Sequence, residues 1–311
     1  MVSRLADLVE FVFKTLWCCA AQAYLLHHDD TKARLRYLPT TCRTNEVDKH
    51  TPDKDRKGRY TTGIVAKYQD QTIVLFQTGR RHAGENLGRL LDDRDPVQGP
   101  PLVMCDALSR NIPTNHPIRL CNCNTHARRQ FVDIVDIFPA QCTHIIEVMR
   151  DIYKNDALTK EQNLSAAQRL VYHQEHSKPL MADLREWLQQ QLEDKLVESN
   201  SSLGDAIKYM LRHWPALTMF LQVEGAPLDN NIVERALKMV VLHRKNAYFY
   251  RTPRGAHVGD IFMSIIATCA HAGVNPMEYL VALQKNATRV RAAPDQWLPW
   301  NFHLALKGNG A

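Results

Sequence analysis

The stretch YTTGIVAKYQDQTIVLFQ, residues 60–77, sets the reading of the fold. It holds two runs rich in β-branched and aromatic residues, Tyr60–Tyr68 and Gln71–Gln77, joined by Gln69-Asp70 in hairpin fashion. Upstream, residues 32–59 carry nine Lys and Arg against four acids with few apolar side chains, the composition of a basic loop. Before that loop, Tyr24-Leu25-Leu26-His27-His28 reads as a short strand ending on Asp29-Asp30-Thr31. Apolar residues at helical spacing, Leu5, Leu8, Val9, Val12, Phe13 and Leu16, open the chain.

Downstream of the hairpin the spacing predicts a short helix over Gly84–Leu91 and a buried strand, Leu102-Val103-Met104-Cys105, that stops on Asp106. Ile118–Cys121 is a further strand, and Thr125 to about Tyr153 is helical, with Phe131, Ile134, Val135, Phe138, Ile145 and Met149 on its apolar side. Residues 156–215 are helical throughout, with breaks at Ser177-Lys178-Pro179 and Ser199–Leu203. After Pro227-Leu228-Asp229 a helix runs to about Arg244, followed by a short strand Tyr248-Phe249-Tyr250 and helices over Val258–His271 and Pro276–Gln284. No internal repeat is present. The order of elements is that of an α/β core interrupted by an all-helical insertion.

Composition narrows the function classes. The chain has 311 residues, 45% hydrophobic and 23% charged, which excludes a disordered, collagenous or fibrous protein. Lys and Arg number 39 against 33 Asp and Glu, a net charge of +6. Eight cysteines show no framework spacing, as expected of a reduced cytoplasmic compartment. Cys121, Cys123 and His126 offer soft ligands but lack the CxxC pair and fourth ligand of a structural zinc site. Glu10, Lys14 and Gln22 interrupt the apolar stretch Leu8–Leu26 before it reaches spanning length, and Asp7 and Glu10 are foreign to a signal peptide's basic start.

Three acids sit where chemistry would want them. Asp29 and Asp106 each follow an apolar strand, where side chains project into loops held by a rigid scaffold. Glu234 lies on the helix after the insertion, in a polar arc with Asn231 and Lys238, beside a buried face of Val233, Ala236, Leu237, Val240 and Val241. Oxygen ligands of this kind select Mg²⁺ or Mn²⁺, and two such ions can activate an attacking hydroxyl and stabilise the leaving oxygen of a phosphodiester. The structural readings stand beside this one: Asp29-Asp30-Thr31 as a turn, Asp106 as a cap for Ala107–Asn111, and Asn231 with Glu234 as a capping-box variant.

Several words of the sequence carry a resemblance. Pro227-Leu228-Asp229-Asn230-Asn231-Ile232-Val233-Glu234-Arg235-Ala236-Leu237, then Arg244-Lys245-Asn246 and Arg254-Gly255-Ala256, resemble the C-terminal signature of transposases of insertion sequence family sixty-six. Cys123-Asn124-Thr125-His126-Ala127-Arg128-Arg129-Gln130-Phe131 resembles a second block of that family, and His28-Asp29-Asp30-Thr31 its first acidic motif. The resemblance spans roughly residues 20–285. The family pattern has Glu where Asp30 stands, which leaves Asp29 and Asp30 as rivals for the first acidic position, and Met104-Cys105-Asp106-Ala107 departs from the family's aspartate-glycine-tyrosine form.

The resemblance implies a ribonuclease H-like core, a mixed sheet with flanking helices, and an acidic triad that cuts and joins DNA strands at the ends of a mobile element. By motif position the triad is Asp29, Asp106 and Glu234, with two Mg²⁺ or Mn²⁺ ions as cofactor. The core then occupies residues 1–155, with the basic loop at 32–59, and resumes over 227–285 after a helical insertion at 156–226; residues 286–311 form a tail. Arg128, Arg129, Arg235, Lys238, Arg244, Lys245, Arg251 and Arg254 are the expected DNA-contacting cations, and His126, Asn230 and Asn231 complete the site. Expected partners are transposon-end and target DNA, further copies of the chain assembled on it, and accessory transposition proteins, with no membrane. Full-length members look about half as long again, so the chain resembles a catalytic portion. A ribonuclease H-fold nuclease or resolvase, and a catalytically silent remnant that binds DNA or a transposase, are the alternative readings.

Overall fold

The computed structural model describes residues 2–36 and 58–307, so most of the basic loop expected at 32–59 lies outside the described residues. In chain order the elements are α1 (Val2–Ala21), β1 (Leu25–Lys32), β2 (Tyr60–Tyr68), β3 (Gln71–Gly79), α2 (Ala83–Leu91), β4 (Leu102–Cys105) and β5 (Arg119–Asn122). Helices follow: α3 (Asn124–Val132), α4 (Pro139–Glu161), α5 (Ala166–His176), α6 (Lys178–Glu193), α7 (Ser202–Arg212) and α8 (Trp214–Leu217). The chain ends with α9 (Asn231–Ala247), α10 (Pro253–His271), α11 (Pro276–Lys285), α12 (Ala287–Ala292) and α13 (Phe302–Lys307). It is a mixed α/β chain whose strands pair in both senses.

Two compact units divide these elements. The first comprises Met1–Pro101, Leu108–Ile118 and Ile232–Ala311. In it β1, β2 and β3 form an antiparallel meander, with Asp29 opposite Gly63 and Gly63 opposite Phe76. Gln69, at φ 50°, makes the tight turn of the hairpin. One face of the meander packs on α9 and α10: Val65, Val74 and Phe76 bury against Val233, Leu237, Val240 and Ala267. The amphipathic spacing of α1 buries Val9, Val12 and Leu16 completely, which accounts for its apolar run without a membrane. Among the described residues no single helix is long and apolar enough to cross one.

Helix α10 also binds β3 through polar side chains. Thr268, Ser264 and Asp260, spaced four residues apart and so aligned on one side of the helix, accept from the backbone N–H groups of Val74 (3.1 Å), Phe76 (2.8 Å) and Thr78 (2.6 Å). The Thr78 hydroxyl donates to the second Asp260 oxygen at 2.7 Å. Burial pushes the Asp260 carboxyl up to about 7, against the pull of the two Thr78 hydrogen bonds.

The second unit comprises Leu102–Ala107 and Arg119–Asn231. Its β4 and β5 run parallel, Leu102 opposite Arg119 and Cys105 opposite Asn122, and the helices α3 to α8 follow. Its helical part is fastened by a buried polar cluster in which Asp156 pairs with Arg169 at 2.8 Å and with His173 at 3.4 Å, while His173 contacts the Ser177 hydroxyl at 3.0 Å. Burial alone would raise the Asp156 pKa; hydrogen bonds from His173 and Lys160 and the charges of Lys160 and Arg169 outweigh it and hold the carboxyl well below its usual range.

Several expectations are corrected. Strand β1 continues to Lys32, so Asp29 lies inside the strand, where its burial gives way to exposure, because β2 pairs with it along its whole length. The helix expected over Thr125–Tyr153 is two helices, broken at 133–138 ahead of Pro139 at the start of α4. Tyr248–Tyr250 is not a strand but a single parallel bridge between Tyr250 and Leu35. The tail folds into two short helices, α12 and α13, around the buried Trp297.

Candidate active site

In the first unit, strand parity and register place the first acid. Residues directly opposite on antiparallel strands share a face of the sheet, so Asp29 lies on the face of Gly63. A methyl group at Gly63 would meet Leu237 Cδ2 at 3.0 Å and Val233 Cγ2 at 3.3 Å, which makes that face the one covered by α9. Asp29 therefore lies on the side of the meander where Val233 is buried and Glu234 follows it by one residue. Both acids are half-buried. The Asp30 N–H donates to Asp29 Oδ1 at 2.7 Å and fixes the orientation of that carboxylate.

Asp30 has the opposite fate. Its side chain, 5% exposed, contacts His82 Nδ1 at 3.0 Å and accepts from the Ala83 N–H at 3.4 Å, so it serves the N-terminus of α2. His82 is the N-cap residue there, and its own N–H donates to Glu85 at 2.6 Å in a capping box. His28 shares Asp30's face; burial, with His27 beside it, pushes its imidazole down to about 3 and keeps it neutral near pH 7.

The expected cations of this unit divide. Arg235, Lys238, Lys245 and Arg251 are exposed. Arg244 donates to the carbonyl of Lys32 and lies 3.5 Å from the Thr31 hydroxyl, tying the last turn of α9 to the end of β1. Arg254, at the start of α10, pairs with Asp7 of α1 at 3.4 Å.

In the second unit Asp106 follows β4 directly and is 9% exposed. Tyr209 of α7 lies near it: burial and then the charge of Asp106 push the phenol up to about 12. Its ring is 4.8 Å from that of His213.

Two of the sequence blocks quoted above meet in this unit. The Asn124 side chain donates to the carbonyls of Leu217 (2.9 Å) and Leu228 (3.1 Å), and the Asn230 N–H donates to the Cys123 thiol at 3.2 Å. Burial pushes that thiol up to about 11, although hydrogen bonds from the His126 and Asn230 main chain work the other way. Cys123 and His126 have ligand atoms within 4.8 Å of each other, and Asn230 is fully buried. Asp229, two residues ahead of Asn231, accepts from the Asn231 N–H at 3.0 Å and from its side-chain amide at 2.7 Å at the head of α9. Arg128 is half-buried, and Arg129 makes an exposed pair with Asp133 at 3.7 Å.

The profile of the Transposase IS66 family matches residues 1–258. The chain belongs to that family. Among its relatives are two uncharacterised proteins of Sinorhizobium fredii: y4jD, 31% identical over 209 residues, 66% of this chain and 40% of that protein, and y4hP, 31% identical over 201 residues, 61% and 36%. The chain thus spans about two fifths or less of the length of these relatives. No solved structure matches it.

For this IS66 family chain, sequence reasoning missed Tyr209 and His82. Nothing local marks either one. Tyr209 is one of several polar positions on an amphipathic helix, and His82 gains its role from a carboxylate 52 residues away.

Proposed function

We propose that this chain is the catalytic portion of a DNA transposase, in which Asp29, Asp106 and Glu234 form the acidic triad for strand cleavage and strand transfer. The observation that carries the proposal is the placement of Asp29 and Glu234 on one side of the meander, in a chain of the IS66 family. The antiparallel and parallel strand pairs with flanking helices support a ribonuclease H-like core.

The donor set suits a hard cation, because all three groups are carboxylates and the Asp29 carboxylate is oriented by a main-chain N–H. Mg²⁺ or Mn²⁺ held there, as two ions, would supply Lewis acidity to the phosphodiester and a lowered pKa to an attacking water. The protein's own contribution is to fix those oxygens and to bind the DNA backbone through Arg235, Lys238, Arg244 and Lys245, whose phosphate contacts give affinity without reading sequence. Water adds to phosphorus and releases a 3′-hydroxyl; that hydroxyl then attacks a target phosphodiester and displaces a target 3′-oxygen.

Glu234→Gln and Asp106→Asn are the test. With labelled transposon-end DNA and Mn²⁺, each is expected to lose nicking and joining while DNA binding in chelator is retained. Cleavage by either variant at the wild-type rate would overturn the triad. Nicking of branched DNA without joined products would instead make the chain a resolvase.

A further inference from the structure

We propose that the groove bordered by Thr31, Lys32, Arg34, Arg244, Lys245 and Tyr248 holds an unpaired DNA strand, with one base stacked on the Tyr248 ring. The proposal rests on the transposase reading, since β1 and α9 carry both the carboxylates Asp29 and Glu234 and the walls of the groove. It goes further by naming the form of DNA and the residue that selects it.

The groove has a volume of about 560 Å³, and among the described residues its lining holds four cations and no carboxylate. Such a lining tracks phosphates. Arg244 braces it, bonded to the end of β1. Phosphate contact alone does not explain Tyr248, which is 67% exposed in a chain whose other large rings are mostly packed. Its backbone is left-handed, at φ 61°. This position directly follows α9, and the Tyr248 N–H closes the helix onto the Arg244 carbonyl at 2.9 Å. Glycine is the usual residue at such a helix end, and a bulky side chain there is an outlier that points to function.

The segment after Tyr248 is clamped. The Tyr250 N–H donates to the Arg34 carbonyl at 2.8 Å, and the Arg36 N–H donates to the Tyr250 carbonyl at 3.0 Å. The Arg36 guanidinium lies over the Phe249 ring, 5.3 Å from its centroid. Tyr248 thus stands between a helix end and a bridged loop, beside four cations. A duplex hides the faces of its bases, whereas an unpaired strand offers them. Aromatic rings that take a base, set in a cationic groove that takes the phosphates, are the pattern of single-strand binding.

The test measures binding of the full chain to a short labelled single-stranded oligonucleotide and to a blunt duplex of the same length, in chelator. Tyr248→Ala is expected to weaken single-strand binding by roughly 5- to 100-fold and to leave duplex binding unchanged. Tyr248→Phe is expected to stay within about twofold of wild type, since stacking needs the ring and not the hydroxyl. Tyr248→Gly, which suits the left-handed backbone, is expected to lose the single strand as alanine does while unfolding no earlier than wild type. Lys245→Ala is expected to weaken both ligands and to lower the salt slope by about one. Wild-type single-strand affinity in Tyr248→Ala, or equal losses on both ligands, would overturn the proposal. Because these measurements need no cation, they are independent of Glu234→Gln, whose retained cleavage would overturn the triad and not the stacking.

Discussion

Helices α9 and α10 pack on the same meander, yet they use their polar residues in opposite ways. On α10, Asp260, Ser264 and Thr268 are consumed by the main chain of β3. On α9, Val233, Leu237 and Val240 do the packing, Arg244 continues their face to the main chain of β1, and Glu234, Arg235, Lys238 and Lys245 are carried on the arc beside them. A polar residue on a mostly apolar helix therefore has two meanings, and its partner in the sheet decides which. Asp29 and Asp30 repeat the lesson on one strand: adjacent and chemically identical, they differ by strand parity alone.

The sharpest way to break this comparison is at the two aspartates. Asp29→Asn is expected to reduce Mn²⁺-dependent DNA nicking by roughly a thousandfold or more, the several kcal/mol that metal-assisted catalysis supplies. Asp30→Asn is expected to keep most of the activity and to lose stability instead, by about 1 to 2 kcal/mol in urea unfolding, because the helix end and His82 lose a charged partner. Reversal of the two phenotypes would assign the catalytic position to Asp30.

Next in size is α10. Asp260→Ala leaves the Thr78 N–H and hydroxyl without their acceptor and is expected to cost about 3 kcal/mol. The same residue predicts a pH dependence. Its folded pKa, near 7, lies above the unfolded value of 3.8, so between the two the folded chain holds a proton that the unfolded chain releases. Its contribution to stability is therefore full below about pH 4 and is lost as pH rises toward 7, by at most about 1.4 kcal/mol per pH unit. Denaturant unfolding across that range should show this slope in wild type and its loss in Asp260→Asn. A slope unchanged in the variant would mean that another group titrates.

The smallest expected effect sharpens the role of α9. Gly63→Ala places a methyl group against Leu237 and Val233 at 3.0 and 3.3 Å. About 1 kcal/mol of destabilisation is expected, with a larger proportional loss of nicking, because the same displacement moves the helix that carries Glu234. Activity that falls only in step with stability would show that the position of α9 is not critical.

Much of this was legible in the sequence, for identifiable reasons. The hairpin of β2 and β3, the strand before Asp106 and the body of α9 follow from periodicity, a local property. Which of Asp29 and Asp30 lies on the side covered by α9 was not legible, because it needs the register of β1 on β2 and the gap at Gly63, both set by residues more than 30 positions away. The spacing of Asp260, Ser264 and Thr268 was visible as one side of a helix, but nothing local says that a strand's N–H groups face it. The aromatic run at 248–250 has strand composition; the left-handed turn at Tyr248 after α9 leaves room for one bridge.

The ladder from α10 has a consequence for assembly. Strand β3 would otherwise present a row of bare N–H groups to any extended peptide, the template on which sheets grow from one molecule to the next. With Val74, Phe76 and Thr78 already donating to a helix of the same chain, those three N–H groups are closed to a second molecule unless α10 is displaced.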